Sequence, residues 1–198
     1  MSSLKSITRI AALVCAVAGP HAAYAQGAAN KDPPAPPLPA EYTEEARRSY
    51  SQGLTEAKKL LDAKRYDEAI ARLDRLTEER PREAQARFMK AVAQADSGRA
   101  PDAVTTLRAL AADFPELPEP RNNLAVLYAA QGNYASARDE LQLAIAAAPD
   151  YAIAHENLGD VYVRLAAVEY ERAATLDKTN KTATQKLKLA RDLITSSR

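Results

Sequence analysis

The chain has 198 residues, enough for one domain with appendages. Its 27 Lys and Arg offset 26 Asp and Glu at a net charge of +1, which leaves no basic field to hold nucleic acid and no acidic tail. One Cys, two His, no Trp and six Gly exclude a collagen-like, disulfide-built or multi-pass membrane protein.

Residues 1–25 read as a secretory signal. Lys5 and Arg9 precede a nine-residue apolar run from Ile10 to Ala18, Gly19-Pro20 break it, and Ala23 and Ala25 supply small residues for a cut after Ala25. As a helix the run spans about 14 Å against a hydrocarbon core of ~30 Å, so a cleaved signal fits it better than a retained anchor over 10–18. Cys15 lies in mid-run behind Val14, which argues against lipid attachment and leaves it to depart with the signal. Loss of Lys5 and Arg9 turns 27 positive residues into 25 against 26 negative, a net −1, and also removes His21. The mature chain then has no thiol, hence no disulfide, and His155 as its single imidazole. The signal is of bacterial style, and the expected destination is the periplasm. Residues 26–42 hold five of the twelve prolines and are predicted to be an extended, solvated tether.

From there the chain repeats with a period of 34. Pro81, Pro115 and Pro149 stand at that interval, as do Ala69, Ala103 and Ala137, and four residues after each alanine comes Leu73, Leu107 or Leu141. Gly98 and Gly132 are also 34 apart. In the third unit Leu124, Ala125, Leu127 and Tyr128 form a helical stripe, Gly132-Asn133 suit a sharp turn, and Tyr134, Ala137, Leu141, Ala144 and Ile145 form a second stripe. Each proline then ends the second helix by forcing its predecessor out of the helical region. Each unit is thus predicted to be two antiparallel helices, with units at about 50–83, 84–117, 118–151 and a shortened 152–180.

These residues resemble the tetratricopeptide repeat, whose pattern runs Trp-x2-Leu-Gly-x2-Tyr, Ala-x3-Phe and Pro. Leu124-Ala125-x2-Tyr128, Ala137-x3-Leu141 and Pro149 fit it best, and Leu158-Gly159-x2-Tyr162 fits the front half of a fourth copy. The tryptophan is replaced by Gly53, Arg87, Arg121 and His155, and Lys64 stands where the first turn glycine belongs. The resemblance implies an all-α, right-handed superhelix of about 3.5 repeats.

The fourth copy lacks a turn. Tyr128 to Leu141 spans 13 residues, whereas Tyr162 to its equivalent Tyr170 spans eight, and nothing between Val161 and Leu176 breaks a helix. Residues 152–177 are therefore predicted to form one continuous helix of about 39 Å. Residues 181–198 follow, with Leu187, Leu189, Ala190, Leu193 and Ile194 as the apolar stripe of a capping helix. The straightened helix needs that cap, or a second copy of the chain through 152–195, to cover its apolar stripe.

Enzyme chemistry finds little footing. There is no Gly-rich phosphate loop, His-x-x-x-His pair or nucleophile elbow, and no cofactor or metal is implied. His155 stands at a packing position, and a carboxylate-only site would have to rest on Glu156 with Asp160. Tyr66, Tyr128, Tyr134, Tyr162 and Tyr170 all fall on core positions of the repeat, which argues against a stacking platform. The resemblance implies instead a non-catalytic scaffold whose first helices line a concave wall that takes an extended peptide or partner protein. By spacing that wall presents Lys58, then Phe88, Met89 and Val92, then Asn122, Asn123 and Val126, then Glu156, Asn157, Asp160 and Arg164. Asn123 and Asn157, 34 apart, suit either a grip on peptide backbone or a bond to the neighbouring repeat, and Asp160 and Arg164 are spaced to pair with each other. A basic clamp for carboxyl-terminal tails would need basic residues where Glu119 and Asn123 stand.

Overall fold

A computed structural model describes residues 43–196, which form eight α-helices and, among the described residues, no strand. They run α1 (Glu44–Asp62), α2 (Tyr66–Glu79), α3 (Ala84–Asp96), α4 (Ala100–Asp113), α5 (Pro118–Ala130), α6 (Tyr134–Ala147), α7 (Ala152–Leu176) and α8 (Lys181–Ser196). The predicted signal and tether lie outside the described residues.

Local chemistry marks the helix ends. Arg80, Phe114 and Ala148 cap the second helices with φ near −139°, −133° and −141°, the extended geometry that the following Pro81, Pro115 and Pro149 demand. Within each pair the turn passes through one left-handed residue, Lys64 at φ 57°, Gly98 at 82° and Gly132 at 78°, at the 34-residue interval. A Cβ on Gly98 or Gly132 would meet nothing within 4 Å, so backbone conformation and not space selects glycine there. Thr43 caps α1 by accepting from the Ala46 amide at 3.1 Å, and Asn180 does the same for α8 from the Ala183 amide at 2.9 Å.

The pairs stack in chain order, each packing on its neighbours. Ala69, Leu73, Ala103, Leu107, Ala137 and Leu141, the repeated alanines and leucines, are all at most 2% exposed. Tyr50, Leu54, Ala57, Leu73, Leu76 and Ala86 make the first core, and Met89 packs against it. A larger core joins the second to fourth units through Ala91, Leu107, Leu124, Ala125, Tyr128, Leu141 and Val161. Burial, with the Glu83 carboxylate nearby, pushes the Tyr50 hydroxyl up to about 12, against the pull of the Ala86 amide and of Arg80, whose guanidinium lies 5.0 Å from the ring centre.

At two of the four missing-tryptophan positions, paired charge replaces the indole. Arg87 bridges α3 to Asp113 at 2.7 Å, and Arg121 bridges α5 to Glu140 of α6 at 3.2 Å. Gly53 is held for closeness, because a Cβ there would sit 2.7 Å from Leu76 Cδ2.

The fourth unit is the predicted single helix: α7 runs 25 residues without a break. Its C-cap, Asp177, has φ −129° and ψ 97°, the geometry of a second-helix end, so its latter half is the second helix of a pair that never turned back. Helix α8 packs along that half through Ala167, Leu187 and Ala190, with Val163, Tyr170 and Ile194 around them. Two expectations need correction. Tyr162 is 47% exposed, since no second helix folds over it, and in α8 Leu189 and Leu193 point outward at 64% and 55%. Helical phase explains the latter, because residues 187, 190 and 194 face α7 and 189 and 193 lie well off that line.

Candidate functional site

The wall formed by the first helices contains two shallow clefts, one at each junction from the second unit to the fourth. Between α3 and α5 lies a dimple of about 10 Å³, room for one water molecule, lined by Ala91, Val92, Ala95, Asn123, Val126 and Leu127, with Leu107 behind. Between α5 and α7 the next, also of about 10 Å³, is lined by Ala125, Val126, Ala129, Asn157, Asp160, Val161 and Arg164, with Leu141 behind. Val126 divides them. Six predicted wall residues, Val92, Asn123, Val126, Asn157, Asp160 and Arg164, are therefore brought together along one surface.

The remaining predicted residues sit elsewhere. Lys58 is exposed on α1 and bonds Asp62 at 3.0 Å. Phe88 and Met89 are half-buried in the two cores, where they join successive units. Glu156 is exposed at the edge of α7, four residues before Asp160. Asn122 lies beneath the wall, fully buried. Its Oδ1 accepts from Asn157 Nδ2 at 2.8 Å, and its own Nδ2 donates to Asn123 Oδ1 at 3.4 Å. Asn157 thus bonds the neighbouring repeat, although through Asn122 and not Asn123. This ladder ties α5 to α7 and leaves Asn123, 5% exposed, bordering the first cleft.

Electrostatics sharpen the second cleft. Arg164 lies over the Tyr134 ring, 5.8 Å from its centre, and among the described residues no ion pair joins it to Asp160. A stacked guanidinium and an exposed carboxylate thus stand at one rim, while valine and alanine form the floor. Spacing alone missed the alanines that floor the clefts, Ala91, Ala95 and Ala129, because alanine there reads as helix packing. It also missed Gln94, which takes the tyrosine's place in the second unit and, 8% exposed, accepts from Thr106 Oγ1 at 2.8 Å.

Among the described residues no three His, Cys, Asp or Glu groups converge to hold a metal ion, and no helix is long and apolar enough to cross a membrane.

The sequence pattern of the tetratricopeptide repeat matches residues 54–118 and 122–179, more than half of the chain. The chain belongs to the tetratricopeptide-repeat family. Solved structures share the fold at low identity. The first such domain of human RPAP3 is 16% identical over 61% of this chain and 94% of its own, with a TM-score of 0.55. The Yersinia enterocolitica type III secretion chaperone SycD, in complex with a peptide of the translocator YopD, is 16% identical over 66% and 99%, also at 0.55. A thermophilic protein of the family from Thermus thermophilus reaches 23% over 71% and 80%, at 0.53. No curated protein matches the sequence.

Proposed function

We propose that this tetratricopeptide-repeat protein is a non-catalytic scaffold that holds an extended segment of a partner protein along the wall formed by α3, α5 and α7. The observation that carries the reading is the pair of apolar-floored clefts joined at Val126, the second of them with Asp160 and Arg164 on its rim. Apolar floors take the tips of alternate side chains of an extended peptide, while Asp160 and Arg164 offer bonds to its backbone or polar groups. The wall is held in place by the Asn122–Asn157 bond and by packing, so little ordering entropy is lost on binding. That a chain of this fold holds a peptide in the Yersinia chaperone complex is consistent with this use.

Selecting peptides from a random library on the purified protein tests the reading. Selected peptides should bind with about micromolar Kd, given so short a wall, and Asp160→Lys with Arg164→Glu should weaken them at least about tenfold. Peptides whose affinity ignores both substitutions and Val92→Asp would contradict it.

The partner is expected to meet the protein in the bacterial envelope, the reading supported by the signal-like residues 1–25. Intact mass of the protein recovered from cells should correspond to a chain starting at Gln26. A mass retaining residues 10–18 favours the alternative, a membrane-anchored subunit of an envelope assembly.

A further inference from the structure

The face of α7 left bare by the missing turn is self-complementary. In the first three units Ala57, Ala91 and Ala125 are at most 1% exposed, covered by their own second helices. Their equivalent is Gly159, where an added Cβ would meet nothing within 4 Å, in the middle of a 25-residue helix that glycine weakens. Tyr162 is 47% exposed although its hydroxyl accepts from Gln142 Nε2 of α6 at 3.5 Å, whereas its equivalent Tyr128, whose hydroxyl accepts from Arg108 of α4 at 2.8 Å, is 6% exposed.

The half that should cover them exists, further along the same helix. Matching the end of α7 at Asp177 to the end of α6 at Ala148 equates Ala166 with Ala137, Glu169 with Glu140 and Tyr170 with Leu141. At 3.6 residues per turn, Gly159, Tyr162, Ala166, Glu169 and Ala173 share one face, so both halves of the unpaired repeat point the same way. A straight helix cannot pack on itself, but two antiparallel copies can pack on each other.

We propose that α7 pairs with α7 of a second copy, antiparallel across this face with the two-fold axis near Tyr162, so that each copy supplies the second helix of the other's fourth repeat. The contacts between α5 and α6 supply the register. There Arg121 meets Glu140 at 3.2 Å, and the equivalent residues are His155, whose Nε2 already contacts Pro149 O at 2.9 Å, and Glu169. In one copy these stand 14 residues apart, about 21 Å along the helix, and cannot meet. In the pair each imidazole stands opposite the other copy's carboxylate, while Tyr162 rests on Ala166 and Gly159 lets the backbones approach.

The capping helix contributes. Lys186 lies over the Tyr170 ring at 5.6 Å on one side of the α7–α8 pair, and Arg191 bridges Glu171 at 2.9 Å on the other. By helical phase Tyr162, Leu189 and Leu193 share the Lys186 side, the side a second α7 occupies. A contact of one helix face per copy is small for a specific interface, so micromolar association is expected.

Sedimentation equilibrium of the purified chain at about 50 µM tests the proposal. The wild type should be a dimer. Gly159→Lys, which fills open space in the monomer and favours helix, should be monomeric with unchanged helical circular dichroism. Geometry is tested in a Cys15→Ser background with Gly159→Cys and Ala166→Cys. Those positions are about 10 Å apart on one helix, beyond disulfide reach, so oxidation can link them only between copies. A covalent dimer should form there and not with Glu116→Cys alone. A monomeric wild type, a Gly159→Lys dimer, or a dimer that the paired cysteines do not link would each overturn the proposal.

Discussion

Lys64 occupies a left-handed position, φ 57°, that the two later turns give to glycine. A Cβ in that region costs an L-residue roughly 1 kcal/mol. Lys64→Gly should therefore stabilise the chain by about 0.5–1 kcal/mol, while Gly132→Ala should destabilise it by about 1 kcal/mol, both read from urea midpoints. Tyr50 makes a pH prediction at the same scale. Its folded hydroxyl lies at about 12, above the ordinary 10 of the unfolded chain. The stability it contributes is complete below pH 10 and is lost as pH rises through 12. Unfolding free energy should fall over that window in the wild type and fall less in Tyr50→Phe. Equal slopes would remove Tyr50 from the account.

Among the elements, α5 and α7 are tied by a buried amide bond. Asn157→Ala removes the donor and leaves Asn122 Oδ1 buried without it, which should cost about 1–3 kcal/mol in thermal or urea unfolding. Asn157 variants therefore report on stability before binding, and the exposed Asp160 is the cleaner probe of the wall. The continuity of α7 was legible from spacing, because no proline or glycine turn stands between Val161 and Leu176. The turn at Lys64 was legible too, since it keeps the 34-residue interval without its glycine. Burial was less so. Asn122 and Asn123 are sequence neighbours with similar chemistry, and only the approach of α7 makes one an acceptor under the wall and the other a cleft border. The exposure of Tyr162 has the same origin: its stripe is helical, but burial depends on a partner helix that local sequence does not place.

The molecule as a whole is a short stack of helix pairs in which α3, α5 and α7 line two adjoining apolar-floored clefts, while its last pair remains open. We propose that the wall, and not the outer surface of the second helices, receives the partner. Methyl NMR of the labelled protein titrated with a selected peptide tests that most directly, by comparing Val92 and Val126 with Leu143, which is 47% exposed on α6. The two valines should shift and saturate together while Leu143 stays still. A Leu143 shift with unmoved valines would contradict it.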